Sequence, residues 1–77
     1  MYYYILYYIN TKSGAKDCII THKLSRRNLN KLIAMLKRDN IIVVEKRGFK
    51  RVCDARMCID TSDFDYDYAI KQNNIKL

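Results

Sequence analysis

The sequence predicts an α+β fold: a small antiparallel sheet of four or five strands with one amphipathic helix across one face, in the order ββαββ(β). Three observations lead there. Met1–Asn10 is dense in Tyr and Ile, residues that favour strands. Leu29, Leu32, Ile33 and Leu36 recur at the i, i+3, i+4, i+7 spacing of one helix face. Two further runs flank Arg47-Gly48, which reads as a tight hairpin turn.

In the first strand Tyr3, Ile5, Tyr7 and Ile9 point one way, and Tyr2, Tyr4, Leu6 and Tyr8 the other. Both faces are apolar or aromatic, the pattern of a strand covered on both sides. One helix covers only one side. The second face, Tyr2, Tyr4, Leu6 and Tyr8, is therefore expected either to stay open and present rings for stacking, or to be shielded by a second copy in a homodimer. Thr11–Asp17 is a loop around Ser13-Gly14, and Cys18–Lys23 returns antiparallel.

Ser25 is a suitable N-cap for a helix over Ser25–Arg38. Leu24 and Leu29 occupy the two positions of a hydrophobic staple. Lys37 and Arg38 suit the negative end of the helix dipole, and Asn40 suits the left-handed position after it. Ile41–Lys46 and Phe49–Ile59 read as a third and a fourth strand. In the fourth, Phe49, Cys53, Ala55, Met57 and Ile59 share a face. Thr61–Ile70 reads either as a helix capped by Thr61 or Ser62, or as a fifth strand. The strand is favoured by register: a Thr61-Ser62 turn sets Ile59 against Phe64, Met57 against Tyr66, Ala55 against Tyr68, Cys53 against Ile70 and Arg56 against Asp67.

The 77 residues are expected to form a single compact domain, 1–77, with 72–77 a loose tail. A core of this size stabilises a fold narrowly. Three cysteines, an odd count with no secretion signal in view, point to reduced thiols and a cytoplasmic protein. No apolar run approaches the roughly 20 residues of a membrane helix, so no membrane partner is expected. Abundant Ile, Lys, Asn and Tyr with no Pro suggests an AT-rich genome: a bacterium, its phage or another virus.

Chemistry has little to work with. Cys18 and His22 lie roughly 13 Å apart on a strand, and Cys53 and Cys58 face opposite ways in one, so no metal site is expected. Asp63-x-Asp65-x-Asp67 begins like a calcium loop, but Tyr68 and Asn74 stand where Gly and Glu belong. The lone histidine, His22, has no nucleophile or orienting partner at a recognisable spacing. The sequence therefore predicts no catalytic residues and no cofactor.

Charge is the stronger signal. The net charge is +7, and residues 1–56 hold 13 Lys and Arg against 4 Asp and Glu. Polyanions are attracted to such a surface. Arg26 and Arg27 stand at the helix start, where the dipole disfavours cations and free backbone N–H groups favour a phosphate. With Lys31, Arg38, Lys46, Arg47, Lys50 and Arg51 they form the predicted binding set, aimed at a nucleic-acid phosphate backbone or an acidic protein surface. Tyr2, Tyr4 and Tyr8 are the candidates for base stacking or for the dimer face.

Arg47-Gly48-Phe49-Lys50-Arg51-Val52 resembles the RNP1 motif of RNA-recognition domains at Arg47, Gly48, Phe49 and Val52, and departs from it at Lys50, Arg51 and Asp54. The resemblance implies an RNA-contacting strand. A helix followed by a basic hairpin is also similar to winged helices, without that fold's other helices. In size and composition alone the chain resembles anti-CRISPR proteins. That resemblance implies a second function, inhibition of a nucleic-acid-handling protein. A structural homodimer is the third.

Overall fold

The computed structural model describes residues 1–61 and 63–75, and it has three strands and three helices. In chain order these are β1 (Tyr3–Asn10), β2 (Lys16–Ile20), α1 (Arg26–Arg38), β3 (Ile41–Phe49), α2 (Val52–Thr61) and α3 (Tyr66–Gln72). The mixed α+β class is as expected; the fourth and fifth strands and the single helix are corrected to ββαβαα.

The sheet is antiparallel in the order β2-β1-β3, so β1 is central. This position explains why both of its faces are apolar. Tyr7 pairs with Cys18 on one side and Glu45 on the other. The register with β3 shifts between Tyr7 and Tyr8, which makes Val44 the extra residue of a bulge. The carbonyl of Val44 accepts a 2.8 Å hydrogen bond from Asn73 Nδ2. The turn before β2 follows the expected chemistry: Gly14 has φ +74°, and Asn10 Oδ1 accepts from the N–H groups of Lys12 and Ser13.

On one face, Ile5, Tyr7, Ile9 and Val44 pack against Ala55 of α2 and Ala69 of α3. On the other, Leu6 of β1 and Leu29 of α1 are both buried outside that cluster. At the centre of β1 both faces are covered within this chain, while Tyr2 just before its start stays 43% exposed. Helix α1 packs along β3, with Tyr4 and Tyr8 half-buried on the Leu6 side, and α2 with α3 shields the Tyr7 side.

The caps of α1 form as read. Ser25 Oγ accepts from Asn28 N, and Asn40 adopts φ +65°. Residues 52–61 differ from the strand expectation because their apolar positions also fit a helix. Ala55, Cys58 and Ile59 turn inward at i, i+3, i+4, whereas Met57 is 65% exposed and Cys53 is exposed. Arg47-Gly48 is not a turn; both residues lie within β3. The RNP1-like run is thus divided: Lys50 and Arg51 leave the sheet, Val52 starts α2, and Phe49 packs on the core.

Residues 63–65 belong to no strand or helix, and Asp65, in an extended conformation, caps α3 by accepting from Tyr68 N. Phe64 stacks on Tyr7 at 3.8 Å, and Tyr66 meets both rings edge-on. The alternation of aromatic and Asp here is an irregular entry to a helix, not a fifth strand. Ser62 of the proposed Thr61-Ser62 turn lies outside the described residues. So do Lys76 and Leu77, but Asn73 and Ile75 of the expected tail pack on the fold.

Burial pushes the Tyr66 hydroxyl up to about 12, with the Cys18 and Asp17 charges adding to the effect. An unfolded tyrosine titrates near ~10. Folding therefore favours the neutral phenol, and this stabilisation is complete below pH ~10 and lost as pH rises toward 12. The thermal midpoint of the wild type is expected to fall more steeply over that window than that of Tyr66→Phe. Equal slopes would show that Tyr66 makes no such contribution.

Candidate nucleic-acid interface

Helix α1 carries five cations, Arg26, Arg27, Lys31, Lys37 and Arg38, and no carboxylate. At 100° per residue, Arg27, Lys31 and Arg38 fall within an arc of about 40°, opposite Leu29 and Leu36. The stripe extends about 16 Å along the axis. All five cations are exposed. The ion pairs among the described residues are Lys16–Asp67 and Glu45–Arg47, so no α1 cation is paired within them.

The sheet separates this helix from the acidic part of the protein. Residues 52–61 and 63–72, which carry α2 and α3 on the Tyr7 face, hold five Asp against Arg56 and Lys71. An approaching polyanion therefore meets α1 without meeting those carboxylates first.

The predicted site residues divide into three groups. Arg26 lies with Met1, Tyr2, Tyr4 and Ser25 along an open cleft of about 430 Å³ at the start of α1. Arg27, Lys31 and Arg38 form the outward stripe. Lys46, Lys50 and Arg51 are exposed at and beyond the end of β3. Lys46 is opposite Leu6, on the sheet face that α1 covers, and lines a second cavity with Ile33. Because Tyr4 pairs with Gly48 and Tyr3 with Phe49, the start of α1 and the end of β3 meet at the Tyr2–Tyr4 corner. Tyr8 is four residues beyond Tyr4 and pairs with Val43 near the far end of β3.

Arg47 stands apart from the surface set. Its Nε donates to Glu45 Oε2 at 2.9 Å, and its Nη1 donates to Cys58 Sγ at 3.6 Å. The guanidinium lies 5.3 Å from the Tyr7 ring centre and 5.6 Å from that of Phe64. These contacts tie β3 to α2 and to the Phe64 segment; they use two of the five guanidinium N–H donors, and the Glu45 carboxylate partly offsets the charge a phosphate would meet. Arg47→Ala is expected to lower unfolding free energy by about 1–2 kcal/mol while leaving the salt dependence of nucleic-acid binding unchanged. Urea unfolding and a salt titration measure the two effects; a reduced salt slope would return Arg47 to the interface.

Two features of the site escaped the sequence reading. Ser25 is a wall of the cleft as well as a cap, and Gly48 makes room for the Tyr4 ring: a Cβ there would lie 3.1 Å from Tyr4 Cε1. The latter follows from the β1–β3 register that pairs Tyr4 with Gly48, which the sequence pattern does not set. Among the described residues there is no cluster of three or more His, Cys, Asp or Glu suited to a metal ion. No described helix is long and apolar enough to cross a membrane. No protein-family model, curated protein or solved structure matches the chain.

Proposed function

We propose that this protein is a non-catalytic binding module that lays α1 against a nucleic-acid phosphate backbone. The observation that carries this reading is the unbalanced charge of α1, five cations with no carboxylate. Surface helices commonly gain stability from opposite charges at i, i+4, and like charges there destabilise. Arg27 and Lys31 are such a like-charged pair. Arg26 and Arg27 also oppose the helix dipole, at a cost of ~0.3–1 kcal/mol each. A row of phosphates turns both costs into attraction, with release of counterions from the nucleic acid.

The test is a titration of the purified protein against DNA and RNA across a range of salt. Three to five phosphate contacts predict a log–log slope between about −2 and −4.5, from ~0.7 per contact on single strands to ~0.9 on duplex. No binding to either nucleic acid at low salt would overturn the proposal. The same cations would then be assigned to an acidic protein surface, the inhibitor reading.

A further inference from the structure

We propose that the nucleic acid taken by this face is single-stranded, with one unpaired base seated on Tyr2 and Tyr4 beside Arg26. The inference rests on the phosphate-binding reading of α1 and adds the class of ligand. Gly48 is not among the residues with positive φ, so backbone conformation does not explain a glycine there. Room does: the Tyr4 ring lies against the strand at Gly48, where a side chain would crowd it. Tyr2 stands edge-on to Tyr4, with ring centres 6.3 Å apart and planes at 71°, and Tyr2 is 43% exposed.

This corner is built, not frayed. Tyr2 exchanges two backbone hydrogen bonds with Leu24, at 2.9 and 2.8 Å, which tie it to the segment that opens α1. The two rings therefore have a settled position relative to Arg26, and with Met1 and Ser25 they line the cleft. Aromatic rings held in place lose little entropy when a base stacks on them. Bases within a duplex already have both faces covered by their neighbours, whereas an unpaired base has a face to offer. The phosphate attached to such a base would lie near Arg26, at the head of the Arg27–Lys31–Arg38 stripe.

The experiment measures anisotropy of a short labelled homothymidine strand, alone and as its duplex with homoadenosine, at one salt concentration. The single strand is expected to bind at least about 10-fold more tightly. Tyr2→Ala should weaken its binding roughly 5- to 150-fold, as for loss of one stacked base, without changing the salt slope. Tyr2→Phe, which keeps the ring, should bind like the wild type; circular dichroism checks that both variants fold. Duplex binding as tight as single-strand binding, or no effect of Tyr2→Ala, would overturn the inference while leaving the phosphate-binding reading intact. Failure of both forms to bind would overturn both.

Discussion

Leu6→Ala is expected to lower the free energy of unfolding by about 2–5 kcal/mol and, in so small a domain, to leave much of the protein unfolded. Leu6 is 0% exposed at the centre of the sheet, on the face that α1 covers, and Leu29 of α1 is 1% exposed. Truncation leaves a cavity between two regular elements, neither of which can close it without moving the other. A core in a chain of this length rarely supplies more than about 3–5 kcal/mol in total, so the loss is comparable with the whole. Leu32 and Leu36 share the inward side of α1 but are only half-buried, so their truncation should cost less than that of Leu29. Urea unfolding followed by circular dichroism decides it. A Leu6→Ala variant with the wild-type midpoint would mean that Leu6 is not packed in a core.

Reversing two charges on α1, Arg27→Glu with Lys31→Glu, is expected to weaken nucleic-acid binding by about 10- to 100-fold near physiological salt. Two attractive contacts are lost, and each new carboxylate repels the backbone it faces. Unfolding would not account for the loss. Both positions are exposed and lie opposite Leu29, and at position 27, in the first turn, a Glu is favoured by the dipole where Arg27 is not. The variant should therefore be at least as stable as the wild type. If its affinity fell together with its stability, the comparison would report on folding.

The elements set by local chemistry were legible in the sequence. Ser25 as cap, Asn40 in the left-handed position, the Ser13-Gly14 turn and the two apolar faces of β1 all appear in the structure. The remainder depended on tertiary cover. Cys53, Ala55, Met57 and Ile59 alternate as in a strand, while Ala55, Cys58 and Ile59 are spaced as in a helix, and local pattern does not choose between them. The choice was implicit in β1: a strand apolar on both sides needs a layer on each, and residues 52–72 were the chain left to form the second.

The candidate site was legible as charge but not as geometry. Arg26, Arg27, Lys31 and Arg38 are exposed on α1, where helix periodicity places them. Arg47 was grouped with them because Arg-Gly resembles a turn tip. Its partners Glu45, Cys58, Tyr7 and Phe64 come from four separate places in the chain, and only the fold assembles them. Gly48 was misread for the same reason: its use is a close approach by Tyr4, a residue 44 positions earlier.

The proposed phosphate contact belongs to the α1 stripe and not to net charge as such. The most direct measurement compares the salt slope of Arg27→Glu/Lys31→Glu with that of Lys12→Glu/Lys16→Glu on the same single strand. Both doubles change net charge equally, but Lys12 and Lys16 flank the turn into β2, and Lys16 is paired with Asp67 at 3.3 Å. The α1 double should lower the magnitude of the slope by about 1.4, two contacts at ~0.7 each, and the turn double should leave it near the wild-type value. Equal slopes and equal losses of affinity in the two doubles would contradict the account.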